Sequence, residues 1–283
     1  MQDLTFTGYP IESENRDWLR ENAAEATLLL MGELPVRVDP RLSPLGKQGW
    51  LRVENQSQIS SCQGNSLTEC AEYCYPIANP GHVVQLSRMY AYIASQQENN
   101  IKGDNGSTLE GGTKALLKGI CTEAVGPYPQ SYPGWGYITQ AMRDDAKYKL
   151  RSIVEIKSAD HGKQFIGSGT GIIQIGIPWG NSMEPDSNGC VRSFSPGRGG
   201  HAICLAGYIP DSDIGVKSSA GYWFLLKNSW GQQYGVKGYA YVDPLAVDQM
   251  LRNKFTSMYG RSDMEAPSVR PLPVDWTKES VLG

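Results

Sequence analysis

The sequence predicts an α+β fold in which helices come first and strands come later. Between residues 62 and 118 apolar residues recur at helical spacing, whereas from Arg151 onward short apolar runs are separated by loops rich in Gly, Pro and Asp. A third observation concerns reactive side chains. A Cys stands at a predicted helix start in the first half, and a His and an Asn stand on or just after predicted strands of the second half, an arrangement that puts a cleft between the two.

Each element follows from local chemistry. Good helix formers over residues 14–32 end at Gly32 and predict a helix ahead of the main body. Ser60 and Ser61 can cap a helix whose Leu67, Cys70, Ala71 and Cys74 recur at i, i+3, i+4 and i+7, with Pro76 as its stop. A second helix is predicted over 86–95 with Ser87 as cap, then a turn at 104–107, then a third helix over 109–118 ending at Gly119. Strands are predicted at 152–156, 171–177, 201–208, 222–227 and 239–242, with the loop 181–199 placed to rim the cleft. The chain therefore divides into an N-terminal extension (1–33), a helical lobe (34–150), a strand-rich lobe (151–260) and an extended tail (261–283). Three prolines within 267–273 bar that tail from a regular element.

Composition narrows the function classes. Twenty-six Lys and Arg stand against 29 Asp and Glu with no long block of either sign, which gives no basis for nucleic-acid or bilayer binding. The first thirty residues show no basic region followed by an apolar core, so no signal peptide is visible, and Leu28–Met31 is too short to span a membrane. Cys70 and Cys74 share one helix face and read as small core residues, while Cys121, Cys190 and Cys204 cannot be assigned from spacing. A reducing compartment is expected, with no metal and no cofactor, because no Cys/His spacing matches a zinc site. His82 and His161 sit in loop-like stretches and are expected at the surface.

The chemistry centres on Cys62. A thiol in the first turn of a helix feels the positive end of the helix dipole and unpaired N–H groups, both of which favour thiolate. The Cys62 amide can donate to an oxyanion, and Gln56 upstream can supply a second donor. His201-Ala202 and Asn228-Ser229-Trp230-Gly231 complete the set. The order Gln, Cys, His, Asn, with Asn in an Asn-Ser-Trp-Gly run, resembles the papain-like cysteine peptidases. The likeness covers roughly residues 34 to 245, with Leu34-Pro35 and Val38-Asp39 similar to the family's mature start. Ile59, Ser60 and Gln63 depart from the common pattern and look more like the divergent bacterial and viral branch of the family.

That resemblance implies a papain-like two-lobed fold, a helical lobe facing a β-barrel-like lobe, and peptide-bond hydrolysis with a peptide or protein as substrate. It implies Cys62 as nucleophile, His201 as its acid–base partner, Asn228 orienting the imidazole and Gln56 in the oxyanion hole. Trp230 would shield the Asn–His bond, Gly106 would lie along the cleft beside the substrate backbone, and Ala202 would line an apolar pocket. Two other readings are carried forward: a papain-fold binding or structural subunit of a larger assembly such as a virus particle, and a cell-wall amidase of the other Cys-His class. The location expected is cytoplasmic or within such an assembly. In the family an N-terminal propeptide usually blocks the cleft; residues 1–33 are shorter than the common type, and their role is open between a packing or docking extension and a segment that blocks the cleft. Trp18, Leu28–Met31, Val269, Leu272, Val274 and Trp276 give both ends apolar surface for docking on the body or on a partner subunit.

Overall fold

The computed structural model describes residues 8–23 and 33–266. In chain order the elements are α1 (Arg16–Glu21), α2 (Pro44–Lys47), α3 (Cys62–Ala78), α4 (Arg88–Glu98), α5 (Leu109–Lys118), α6 (Gln140–Asp145), β1 (Lys149–Glu155), α7 (Ala159–Gly167), β2 (Ile172–Trp179) and β3 (Cys190–Val191). They continue with β4 (Gly199–Pro210), α8 (Asp211–Ile214), β5 (Tyr222–Lys227), β6 (Tyr239–Val242), α9 (Pro244–Leu251) and β7 (Ser257–Glu265). The helical half and the strand-rich half each build a core. Leu67, Ala71, Leu86, Met89 and Ile93 anchor one, and Ile173, Ile175, Leu205, Phe224 and Val247 anchor the other.

Helix α3 is the shared centre. Every residue from Cys62 to Tyr75 is buried, because the helix packs on α4 on one side and on β2, β4 and β7 on the other. Pro76 does not stop it. Proline removes one N–H and frees the carbonyl four residues earlier, and here the Glu72 carbonyl accepts the Trp50 indole N–H at 3.0 Å instead, so the helix runs on to Ala78. Ser61 is the N-cap residue but makes no side-chain cap bond; its hydroxyl meets the Tyr128 hydroxyl at 2.6 Å. Ser87 and Thr108 do cap α4 and α5, accepting the N–H of Tyr90 and of Gly111.

The strands form one sheet in the order β1-β7-β2-β4-β5-β6-β3, antiparallel except for the β3–β6 pair. The sheet is open, with β1 and β3 at its edges, so the strand-rich lobe is not a closed barrel. The boundary expected at residue 260 is displaced. Residues 257–265 form β7, inserted between β1 and β2, with Arg261 facing Ile153 and Ile172 in register. The Ser-Met-Tyr-Gly-Arg-Ser-Asp-Met-Glu stretch carries little apolar alternation of its own; two flanking strands supply its pairing. Arg261 is fully buried, donating to the Gln174 side-chain oxygen and to the Thr113 hydroxyl. The proline-rich segment 267–283, with Val269, Leu272, Val274 and Trp276, lies outside the described residues, as do Leu28–Met31.

Helix α1 covers only six residues of the longer N-terminal helix expected, capped by Asn15, whose side chain accepts the Trp18 N–H at 3.0 Å. Its buried Leu19 packs with Leu109, Ile153 and Tyr259, so residues 8–23 dock on the protein's own body. After residue 33 the chain is pinned to β4, where Val38 and Tyr208 exchange N–H···O bonds of 2.9 and 2.8 Å. Among the described residues no helix is long and apolar enough to cross a membrane.

A buried acid gives α3 a pH-dependent stability. Burial pushes the Glu72 carboxyl from its ordinary 4.5 up to about 8, against the opposing Leu86 N–H that it accepts at 2.7 Å. Its folded-state pKa is raised, so the stability it contributes is complete below pH 4.5 and is lost as pH climbs through about 8. Glu72→Gln keeps an acceptor for Leu86 and removes the titration. Urea midpoints compared at pH 5 and pH 9 are expected to fall in the parent by an amount equivalent to roughly 3–5 kcal/mol and to change far less in Glu72→Gln.

Candidate active site

The loop ahead of α3 is held by the strand-rich lobe. Gln56 N–H donates to the Ser229 carbonyl at 2.8 Å, Gly231 N–H to the Glu54 carbonyl at 2.8 Å, and the Ser229 hydroxyl to the Gln56 side-chain oxygen at 2.7 Å. Gln56 is buried, with its amide nitrogen 2.9 Å from the Ile59 carbonyl. A primary amide carries two N–H groups, and that bond uses one of them. The turn at 104–107 braces the loop from the helical side, where Asp104 accepts the Ser60 N–H at 3.0 Å and the Tyr92 hydroxyl at 2.8 Å.

Cys62 opens α3 and faces β4, where the Ala202 N–H lies 3.4 Å from its sulfur. His201 precedes Ala202 on that strand, and Asn228 follows the end of β5. His201 Nε2 and Asn228 Oδ1 are 2.8 Å apart. The same Oδ1 accepts the Ser229 N–H at 2.8 Å, which identifies the facing atom as oxygen, so Nε2 carries the proton. Trp230 stacks on the imidazole at 4.6 Å between centroids, and Trp179 meets it edge-on at 4.8 Å. Sequence reasoning placed Trp230 here and missed Trp179, which lies two residues past the strand predicted at 171–177 and closes the observed β2.

The largest surprise lies over the cleft. Cys62 and His201 are both 0% exposed; the N-terminal segment packs against Cys62, and Trp179 and Trp230 cover His201. Ser107 N–H donates to the Gly8 carbonyl at 3.1 Å, and Tyr9 N–H donates to the Gly200 carbonyl at 3.1 Å. Gly106 does border the cleft, at φ +78°, but the backbone that approaches it is the chain's own: a Cβ there would sit 2.2 Å from the Gly8 carbonyl oxygen. The Tyr9 ring packs with Cys62, Ala202, Leu109 and Tyr259, and its hydroxyl lies 3.3 Å from the Ser257 hydroxyl. Ala202, expected to line an apolar substrate pocket, lies in a buried cluster that includes Tyr9. The absent side chain of Gly176 makes room for the ring, since a Cβ would stand 2.4 Å from it.

Glu14 fastens the segment. Its two carboxylate oxygens accept the N–H groups of Leu109 and Glu110 at 2.7 and 2.8 Å, at the start of α5. Arg16 donates to the Phe255 carbonyl at 2.7 Å, and Arg20 lies 3.2 Å from Glu155. Burial raises the Glu14 carboxyl, with those two N–H groups opposing. Because docking raises this pKa, proton binding favours the docked segment, and acidification through the titration of this carboxyl tightens the contact.

Burial also reverses the expectation for the thiol. Desolvation pushes Cys62 up to about 12, and the N–H groups of Ala202 and of the helix start oppose it without prevailing. A helix dipole favours the thiolate of a cysteine in contact with solvent; Cys62 has no such contact, and Tyr9 packs in the same buried cluster. His82 and His161, expected at the surface, are half-buried, and His161 Nδ1 accepts the Lys157 N–H at 3.2 Å. Among the described residues none of the six cysteines is in a disulfide, and all six are buried.

A cysteine at a helix head and a strand-borne histidine, itself held by an asparagine and covered by tryptophan, make up the candidate site. The family model for papain family cysteine proteases matches residues 34–251, and the chain belongs to that family. An uncharacterised peptidase C1-like protein of Acanthamoeba polyphaga mimivirus is 25% identical over 201 residues, 65% of this chain and 62% of that protein. Falcipain-2b of Plasmodium falciparum is 23% identical over 198 residues, 68% of this chain and 39% of that protein. The chain thus matches about two fifths to three fifths of the length of these relatives. Among solved structures, xylellain, a cysteine protease from Xylella fastidiosa, superposes with a TM-score of 0.70 at 21% identity, covering 93% of this chain and 97% of that one. The ragweed pollen cysteine protease Amb a 11 in its proform gives 0.67 at 19% identity over 93% of this chain and 77% of that one. These likenesses carry the fold.

The buried thiol makes a direct prediction. In the intact chain Cys62 is expected to react slowly with iodoacetamide at pH 7.5, and Tyr9→Ala combined with Glu14→Ala is expected to speed labelling on the order of 100-fold by restoring solvent. The check is peptide mass mapping of Cys62 against time. Equal rates in the two proteins would show that the segment does not control access.

Proposed function

We propose that this chain is a cysteine endopeptidase acting on peptide or protein substrates, and that it is held latent by its own residues 8–14. The observation that supports the activity is Cys62 at the head of α3 beside His201, whose Nε2 is held by Asn228. With the segment displaced, the thiol proton passes to His201 Nδ1 and the thiolate attacks the scissile carbonyl carbon. The oxyanion is held by the Cys62 N–H and the second N–H of the Gln56 amide. As the C–N bond breaks, the Nδ1 proton passes to the leaving amine and a thioester remains. Water then adds to that thioester, gives a proton to Nδ1, and the C–S bond breaks to release the carboxylic acid and the thiolate. Asn228 keeps the ring in the tautomer this sequence requires. Trp230 and Trp179 keep water from the Asn228–His201 bond.

A second reading draws on the burial of Cys62 and His201: the chain is a papain-fold subunit that keeps the arrangement and does not turn over. The two readings separate on the Tyr9→Ala, Glu14→Ala background. Hydrolysis of a mixed peptide library is expected there, and Cys62→Ala or His201→Ala is expected to abolish it. Gln56→Ala is expected to lower kcat about 10²–10³-fold. No cleavage by the opened protein, or full cleavage with Cys62→Ala, would favour the non-catalytic reading.

A further inference from the structure

The floor of the site holds a feature that hydrolysis does not use. Cys70, two turns along α3 from Cys62, and Cys204, three residues beyond His201 on β4, have their sulfurs 3.7 Å apart, although 134 residues separate them in sequence. Both are 0% exposed. We propose that Cys70 and Cys204 are a modification site, at which a small peroxide oxidant forms a disulfide that joins the nucleophile's helix to the strand bearing His201.

Three observations carry this. The sulfurs are in van der Waals contact, and a disulfide needs about 2.05 Å, so closure asks for a movement of less than about 2 Å between two side chains. The Cys204 thiol lies 3.1 Å from the Ser66 carbonyl, an acceptor one turn before Cys70, so both sulfurs are oriented by the same stretch of α3. Among the described residues no other pair of thiols is in contact. Cys74 points at the Arg261 and Thr170 carbonyls, and Cys190 at the Asn188 carbonyl.

The charged surroundings act in both directions. Arg261 is a fully buried guanidinium bonded to neutral partners, Gln174 and Thr113, and its charge interacts with Cys204. Lys227, paired with Glu69, acts on Cys204 as well. A cation near a thiol favours its thiolate, while burial and Glu69 oppose ionisation at Cys204, so the reaction is slow and requires transient opening. One thiolate attacks hydrogen peroxide, breaking the O–O bond to give a sulfenic acid and, after proton uptake, water. The second sulfur displaces the sulfenic hydroxyl, forming the S–S bond and a second water. Two thiols lose two hydrogens in all, and one peroxide is reduced to two waters.

The inference does not depend on the proposed activity, so it is tested in the full chain carrying Cys62→Ser. That protein is incubated with dilute hydrogen peroxide, alkylated under denaturing conditions and mapped by mass spectrometry without reduction. The expected result is a linked peptide pair containing Cys70 and Cys204, two fewer titratable thiols, and a Tm raised by ~5–10 °C, all reversed by dithiothreitol. Cys204→Ala is expected to yield neither link nor shift. Unchanged thiol content after prolonged exposure, oxidation to sulfinic acid without a link, or a link between other cysteines would overturn the proposal.

Discussion

From Cys62 to Tyr75 helix α3 has no face left for water, and the rest of the structure depends on that constraint. Burying a polar side chain without a partner is costly, and four of those on α3 reach partners on other segments. Gln63 accepts the Ser107 hydroxyl, the Ser66 hydroxyl accepts from the Gln174 amide, Glu69 pairs with Lys227, and Glu72 accepts the Leu86 N–H. These contacts reach α5, β2, β5 and the start of α4 in turn. The helix is thereby aimed at one point, and that point is the Ala202 N–H beside His201.

Placement of the second group follows from the same contacts. Lys227, bonded to Glu69 on α3, immediately precedes Asn228, so the ion pair sets where β5 ends relative to the helix that carries Cys62. The Asn228 oxygen is then shared between the Ser229 N–H and the imidazole, and two tryptophans enclose that ring. Burying an ion pair is a weak source of stability because desolvation offsets much of the attraction. Its value here is positional: one fully buried pair ties the two lobes together a few residues from the site.

The N-terminal segment is held by contacts of a different kind. Backbone pairing to Ser107 and Gly200, a tyrosine ring in an apolar pocket, and a carboxylate at the start of α5 are spaced along seven residues. Each alone is modest, but they act on one short chain segment and hold it together. A helix terminus favours the thiolate of a cysteine that solvent reaches, and the docked segment keeps Cys62 from that condition.

Much of this was legible in the residues. Local signals set the type and span of α5 and of the strands near 172, 201, 222 and 239, because side-chain periodicity and caps act within a few residues. The order Gln56, Cys62, His201, Asn228 identified the family for the same reason: each sits beside a short motif that its own element requires. Contacts between distant segments decided the rest. Strand β7 had no visible period because its pairing comes from β1 and β2, and Pro76 continued a helix because Trp50 satisfied the carbonyl it freed. The Cys62 thiol was shielded where a lowered pKa was expected, because protonation depends on what lies over the sulfur. In this chain that is Tyr9, fifty-three positions away in a segment whose sequence carries no mark of where it docks. Residue type and local spacing thus determined which groups are present, and only tertiary packing determined which of them meet water.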